Sequence, residues 1–175
     1  MLIQDEGFDG LVIQIAILGI SFKKLSDNEM FVEAYAGVEW DFFVEEVVKR
    51  GYGGLENLSL IPGSVGGAPI QNIGAYGVEV KNSIVSVEVF NIETERGETF
   101  SNERCQFSYR NSFFKTREGR NYIVTSVIFR LSKQTPVSIS YKDLTRYFEG
   151  ENMTPTCADV RRAVIKIRRN KLPDH

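Results

Sequence analysis

The chain has 175 residues, 42% hydrophobic and 25% charged, enough for one soluble domain with a substantial core. Its net charge of -2 leaves no general basic field for nucleic acid or an anionic membrane surface. The only histidine is His175, and the two cysteines, Cys105 and Cys157, have no Cys-x-x-Cys spacing. A His/Cys metal site and a histidine-based nucleophile arrangement are therefore not expected.

In chain order, Gly10–Leu18 is rich in β-branched residues and predicts a strand, and Met30–Ala36 predicts a second after a polar turn around Lys24–Asn28. Trp40, Phe43, Val44, Val47 and Val48 then recur at helical spacing, with Gly51 as the stop. From Gly51 to Gly77 the chain holds eight of its fifteen glycines and two of its five prolines, with no lysine or arginine. So apolar a stretch is no linker; a backbone without Cβ atoms can lie against a flat ligand and offer its amides to ring edges or phosphates. Strands resume at Ile84–Ile92, where alternation places Val85, Val87 and Val89 on one face. Glu95-Arg-Gly97 predicts a hairpin tip with Glu98–Ser101 as the return strand, and Tyr122–Leu131 is the strongest strand signal. Cys157–Arg169 predicts a helix with Val160, Ala163, Val164 and Ile167 on its apolar side. Its basic residues Arg161, Arg162, Lys166, Arg168 and Arg169 read as a solvated face. Strands and helices mix without regular βαβ alternation, which predicts an α+β fold. The start of the chain carries no basic signal region, no run is long enough for a membrane span, and few cysteines suit a reducing cytoplasm.

The stretch Gly54-Leu-Glu-Asn-Leu-Ser-Leu-Ile-Pro-Gly-Ser-Val-Gly-Gly-Ala-Pro-Ile-Gln-Asn-Ile-Gly-Ala-Tyr-Gly77 resembles the flavin-binding signature of the UDP-N-acetylenolpyruvoylglucosamine reductases, the MurB family. Its first part alone would indicate the wider PCMH-type group of FAD flavoproteins; Pro69–Gly77 narrows the match. Three further segments are similar in order and spacing. They are Phe107-Ser-Tyr-Arg-Asn-Ser-Phe-Phe-Lys115, Ser140-Tyr-Lys-Asp-Leu144, a feature of the type I subgroup, and Arg169-Asn-Lys-Leu-Pro-Asp174.

The resemblance implies an FAD-binding domain built on a mixed sheet with flanking helices. It also implies a two-step reaction, in which NADPH reduces FAD and the reduced flavin then reduces UDP-N-acetylglucosamine enolpyruvate to UDP-N-acetylmuramate for peptidoglycan. The cofactor contacts it implies are Pro62, Gly63, Ser64, Val65, Gly66, Gly67, Gln71, Asn72, Gly74 and Ala75. Arg110 is the catalytic candidate, because a fixed guanidinium stabilises negative charge building on the substrate carboxylate. Unsupported by the motif, an arginine between strands would be read as pairing with a surface acid. Tyr76, Tyr109, Tyr141 and Lys171 are the implied substrate contacts, Tyr141 and Lys171 toward the uridine diphosphate. No metal, nucleic acid or membrane partner is expected.

On this resemblance, residues 1–175 correspond to the central FAD-binding region. A diphosphate-gripping Gly-x-Gly-Ser-Asn loop and a substrate-binding domain carrying a serine proton donor and a glutamate are expected elsewhere. The 175 residues alone are then expected to hold FAD weakly or not at all and to show no turnover; stoichiometric flavin in purified material would contradict this. Two other readings stay open: another PCMH-type FAD oxidoreductase, and a non-catalytic UDP-sugar- or protein-binding remnant of the reductase.

Overall fold

The computed structural model describes residues 5, 7–151 and 154–171. Five strands form one sheet in the order β1-β2-β7-β5-β6. They are β1 (Ile20–Lys24), β2 (Glu29–Tyr35), β5 (Ile84–Asn91), β6 (Arg96–Ser101) and β7 (Tyr122–Ser132). Every pairing among them is antiparallel, so the sheet is more uniform than the mixed one expected. A two-stranded ribbon, β3 (Gly74–Ala75) with β4 (Val78–Glu79), lies in the long connection from β2 to β5. The helices are α1 (Trp40–Lys49), α2 (Lys142–Tyr147) and α3 (Cys157–Lys171). With strands and helices segregated in this way, the class is α+β, and no helix among the described residues is long and apolar enough to cross a membrane.

Helix α1 forms where its periodicity predicts. The Glu39 carboxylate accepts from the amides of Asp41 and Phe42 at 2.9 and 2.6 Å, satisfying two first-turn donors. Its five apolar positions at helical spacing are all buried while Phe42 faces out, and the chain leaves through Gly51 at φ 78°. Trp40 and Phe43 meet Phe129 of the central strand β7 at ring-centroid distances of 6.2 and 4.9 Å, and the Trp40 indole donates to the Leu58 carbonyl at 2.8 Å. The helix thus binds the sheet to the start of the glycine-rich connection.

Three local expectations change. Residues 10–18 form no strand: Leu11, Val12, Ile13 and Leu18 are largely exposed, and β1 begins only at Ile20. β-Branched residues supply propensity, but a strand needs a partner, and the Gly37 amide reaches this stretch only at the Ile17 carbonyl. In β5 a bulge places Ile84 and Ser86 opposite consecutive residues Phe129 and Ile128, so the alternation slips there. Val85 therefore faces solvent while Val87 and Val89 stay in the core. The hairpin tip lies at residues 92–95, because the Asn91 side chain accepts the Glu93 and Thr94 amides and closes the turn early; Arg96 and Gly97 already belong to β6.

Glu56 is a buried acid inside the core, 2% exposed, with one oxygen accepting the Gly54 amide at 2.6 Å. Burial raises its pKa, and the amides of Glu56, Gly54 and Leu55 only partly offset this. A carboxyl raised on folding lends stability that is complete below its unfolded pKa and is lost as pH rises through the folded value. Glu56→Gln, whose amide oxygen can keep the Gly54 bond, is expected to remove that loss. The urea midpoint of the parent should therefore fall relative to the variant as pH rises above the ordinary glutamate range. Parallel midpoints across the range would show that Glu56 is not the group responsible.

Candidate flavin and substrate site

The glycine-rich loop is pinned to the end of β2. The amides of Val65 and Gly66 donate to the carbonyls of Val38 and Ala36 at 2.9 and 3.0 Å, and the Gly67 amide to Ser64 at 3.0 Å. Val65 is fully buried, so it supports the loop from beneath. Gly66 is packed so closely that a Cβ there would fall 2.6 Å from Ala36 Cβ. The outer surface differs. Pro62, Gly63 and Gly67 are exposed, a Cβ on Gly63 would meet nothing within 4 Å, and one on Gly67 only Ser64 Oγ at 3.9 Å. The amides of Gly63 and Ser64 take no backbone partner among the described residues. The result is a low shelf whose outer side chains are only the Pro62 ring and the small Ser64 hydroxyl, with two free donors among the described residues, which fits a flat ring system or a diphosphate oxygen.

Gln71 is exposed and Gly74 and Ala75 are half-buried along the same stretch. Asn72 is turned inward at φ 44° and fully buried. Its amide donates to the Ser108 carbonyl at 2.9 Å and its oxygen accepts the Lys81 amide at 3.1 Å. Both ends of the side chain are thereby used inside the protein, so Asn72 joins two loops.

Tyr109 and Arg110 form the tip of a tight turn closed by reciprocal Ser108–Asn111 backbone bonds at 3.0 and 3.2 Å. Arg110 sits at φ 54°, a left-handed conformation that costs a branched or long residue of order 1 kcal/mol or more. The surroundings hold it: the Arg110 guanidinium donates to the Gly74 carbonyl, the Ser112 hydroxyl to Ile70 at 2.6 Å, and Lys115 to the Arg110 carbonyl at 3.2 Å. Tyr109 is 81% exposed, with Arg110 5.8 Å from its ring centre.

Tyr76, Tyr141 and Lys171 converge from three separate elements. Tyr76 follows β3 at φ 48°, and its ring meets the Tyr141 ring edge-on at 5.3 Å. Lys171, in the last turn of α3, pairs with Asp143 of α2 at 2.6 Å, which raises the lysine pKa and keeps it charged. Burial pushes the Tyr76 hydroxyl up, against the opposing charges of Arg168 and Lys171. The Leu172–Asp174 part of the last motif lies outside the described residues. A concavity of about 780 Å³ lined by Ser140, Lys142, Thr145 and Arg146 does not include Tyr76, Tyr141 or Lys171, so this cluster lies on an open face outside it.

Several residues that matter here carried no role in the sequence reading. Asn57 donates to the carbonyls of Tyr76 and Ser138 at 3.0 and 2.8 Å, holding the two tyrosine-bearing segments together. The basic face of α3 is not uniformly solvated. Arg161 is buried, gripping Asp41 at 2.6 and 3.0 Å, and Arg168 donates to the Leu60 carbonyl at 3.1 Å. Charge pattern alone hides such pairs, since their acceptors lie more than a hundred residues away. The cysteines stay outside the site's chemistry; burial pushes the Cys105 thiol up to about 12.

The chain is similar over nearly its whole length to enzymes named UDP-N-acetylenolpyruvoylglucosamine reductase. It is 44% identical to that of Bdellovibrio bacteriovorus over 173 residues, covering 99% of the chain and 52% of the relative. It is 45% identical to that of Flavobacterium johnsoniae over 171 residues, covering 97% and 51%. The chain spans about half the length of the curated relatives it matches. Among solved structures it resembles the crystal structure of the same-named reductase (MurB) from Thermus caldophilus, with a TM-score of 0.55 and 25% identity over 80% of this chain and 43% of that one. The model of the family described as FAD binding domain matches residues 1–99, more than half of the chain and all of the glycine-rich shelf. On that match, which spans more than half of its residues, the chain belongs to the FAD binding domain family.

Proposed function

We propose that residues 1–175 form the FAD-binding region of an NADPH-dependent reductase that converts UDP-N-acetylglucosamine enolpyruvate to UDP-N-acetylmuramate. The observation that carries this reading is convergence on the β3–β4 ribbon. The flavin shelf runs into its first strand, Arg110 is tied to Gly74 at its start, and Tyr76 at its turn meets Tyr141. When bound, FAD would supply the hydride chemistry, with NADPH as the source of reducing equivalents.

Gly63 and Ser64 would hold the cofactor through their amides, with Pro62, Gly67 and Gln71 completing the exposed wall and Gly66, Gly74 and Ala75 keeping the backbone low. Val65 and Asn72 keep that wall in place from the inside. Arg110 has donors beyond the one given to Gly74, and these meet the charge that builds on the substrate carboxylate. Tyr76, Tyr141 and Lys171 bind the uridine diphosphate end; Tyr109, exposed beside Arg110, closes against the substrate. The motifs suit a cytoplasmic enzyme of peptidoglycan precursor synthesis.

The test is a chimera in which this chain replaces the matching half of the Bdellovibrio bacteriovorus reductase. Stoichiometric flavin and NADPH oxidation dependent on the enolpyruvyl substrate are expected. A chimera that binds flavin but oxidises NADPH only with other acceptors would favour a different FAD oxidoreductase. One that folds yet takes up neither flavin nor UDP-sugar would sink the reading.

A further inference from the structure

Leu60 stands immediately before the Ile61-Pro-Gly63 turn and adopts φ 58°, a left-handed conformation normally left to glycine. Both of its backbone polar groups are gripped by side chains from helices. Its amide donates to Asp41 Oδ1 of α1 at 2.6 Å, and its carbonyl accepts from Arg168 Nε of α3 at 3.1 Å. Arg161 of α3 closes the arrangement with a two-pronged bond to the same Asp41 carboxylate, at 2.6 and 3.0 Å, and its side chain is only 10% exposed. Burial alone would raise the Asp41 pKa, but the bonds from Arg161 and Leu60 and the charges of Arg161 and Arg168 outweigh it and hold the carboxyl low.

Such a device is more than a stabiliser of α3. A buried ion pair is costly to desolvate and is a weak source of stability in itself. Here the pair is spent on one residue whose backbone would otherwise relax, and the residues that follow it are the shelf. We infer that Asp41, Arg161 and Arg168 are positioning residues that hold Leu60 left-handed and thereby set the shape of the Pro62–Gly67 cofactor shelf. The link to a cofactor rests on the function proposed above; the link to loop shape does not.

The experiment is residue-resolved amide hydrogen exchange on the whole chain, followed by FAD titration of the same variants carried in the chimera. Because Arg161→Met strands a half-buried carboxylate and could prevent folding, the milder Arg168→Gln is the main variant. It is expected to speed exchange by about tenfold at the hydrogen-bonded amides of Leu60, Val65 and Gly66, while the amides of β7 keep the parent's rates. Leu60→Gly removes the need for the grip, so in that background the effect of Arg168→Gln should shrink to less than about threefold. A merely structural bond would show no such dependence on residue 60. Unchanged exchange at Leu60, Val65 and Gly66, a uniform rise that includes β7, or an equal effect in the glycine background would each overturn the inference. In the titration, FAD affinity that weakens in Arg168→Gln and returns with Leu60→Gly ties the grip to the cofactor. Unaltered affinity despite altered exchange overturns that tie, whereas no FAD uptake by parent or variants, with the exchange pattern as expected, counts against the cofactor reading alone.

Discussion

Replacing Trp40 by alanine is expected to destabilise the chain by about 3–5 kcal/mol, a large part of the roughly 5–15 kcal/mol that holds an ordinary domain. The indole fills the joint between α1 and β7, 1% exposed, with Phe43 and Phe129 on either side, and these rings cannot close over the space it leaves. Its removal also strands the Leu58 carbonyl, which accepts the indole N–H inside the core. Urea unfolding should show a lower midpoint with an unchanged slope. Trp40→Phe separates the two contributions, since it restores most of the volume but not the donor. About 1 kcal/mol of the loss should remain if the hydrogen bond matters. A loss below about 1 kcal/mol for the alanine variant would mean that the joint repacks and is not the keystone described.

Arg110→Met in the chimera is expected to lower kcat by about 10²–10³, with flavin content unchanged. The turn at Ser108–Asn111 is closed by backbone bonds, and Ser112 and Asn72 fasten it to the shelf, so the methionine variant should keep the loop's path. What it loses is the forked donor that meets developing charge. Arg110→Lys should fall between, because an ammonium restores charge without the two-pronged geometry. A rise in KM with kcat unchanged would instead mark Arg110 as a ground-state binder, and a change smaller than about threefold in both constants would remove it from the reaction.

Much of this architecture could be read from residue pattern. Helix α1 obeys its spacing because one face is buried along its whole length, and β7 stands out because β-branched and aromatic residues fill most of a long central strand. The glycine-rich loop announced itself through what it lacks, namely lysine, arginine and large exposed side chains. What escaped were features set by partners distant in sequence. Residues 10–18 have the composition of a strand, yet strand formation is decided by an available edge. The phase of β5 turns on a single extra residue at Val85, which no local alternation reveals. Asn57, Arg161 and Arg168 looked like ordinary polar residues because their acceptors lie 19, 81, 120 and 108 positions away. Tyr76, Tyr141 and Lys171 were drawn together only through family resemblance; the ring contact and the Lys171–Asp143 pair give that grouping a physical basis.

The braces on the cofactor loop also fix when, during synthesis, the loop can acquire its final form. All of its glycines have been made by residue 77, but the groups that fasten it, Ser108, Ser112, Arg168 and, through Asp41, Arg161, emerge afterwards. At a ribosome adding about 5–20 residues each second, the loop spends several seconds as an apolar, unbraced segment on a sheet whose central strand does not yet exist. Contacts that span so much of the chain form slowly even after release. A nascent chain stalled near residue 99 would contain the entire FAD-family match and still lack the partners that brace the glycine-rich loop, which leaves an apolar segment open to aggregation.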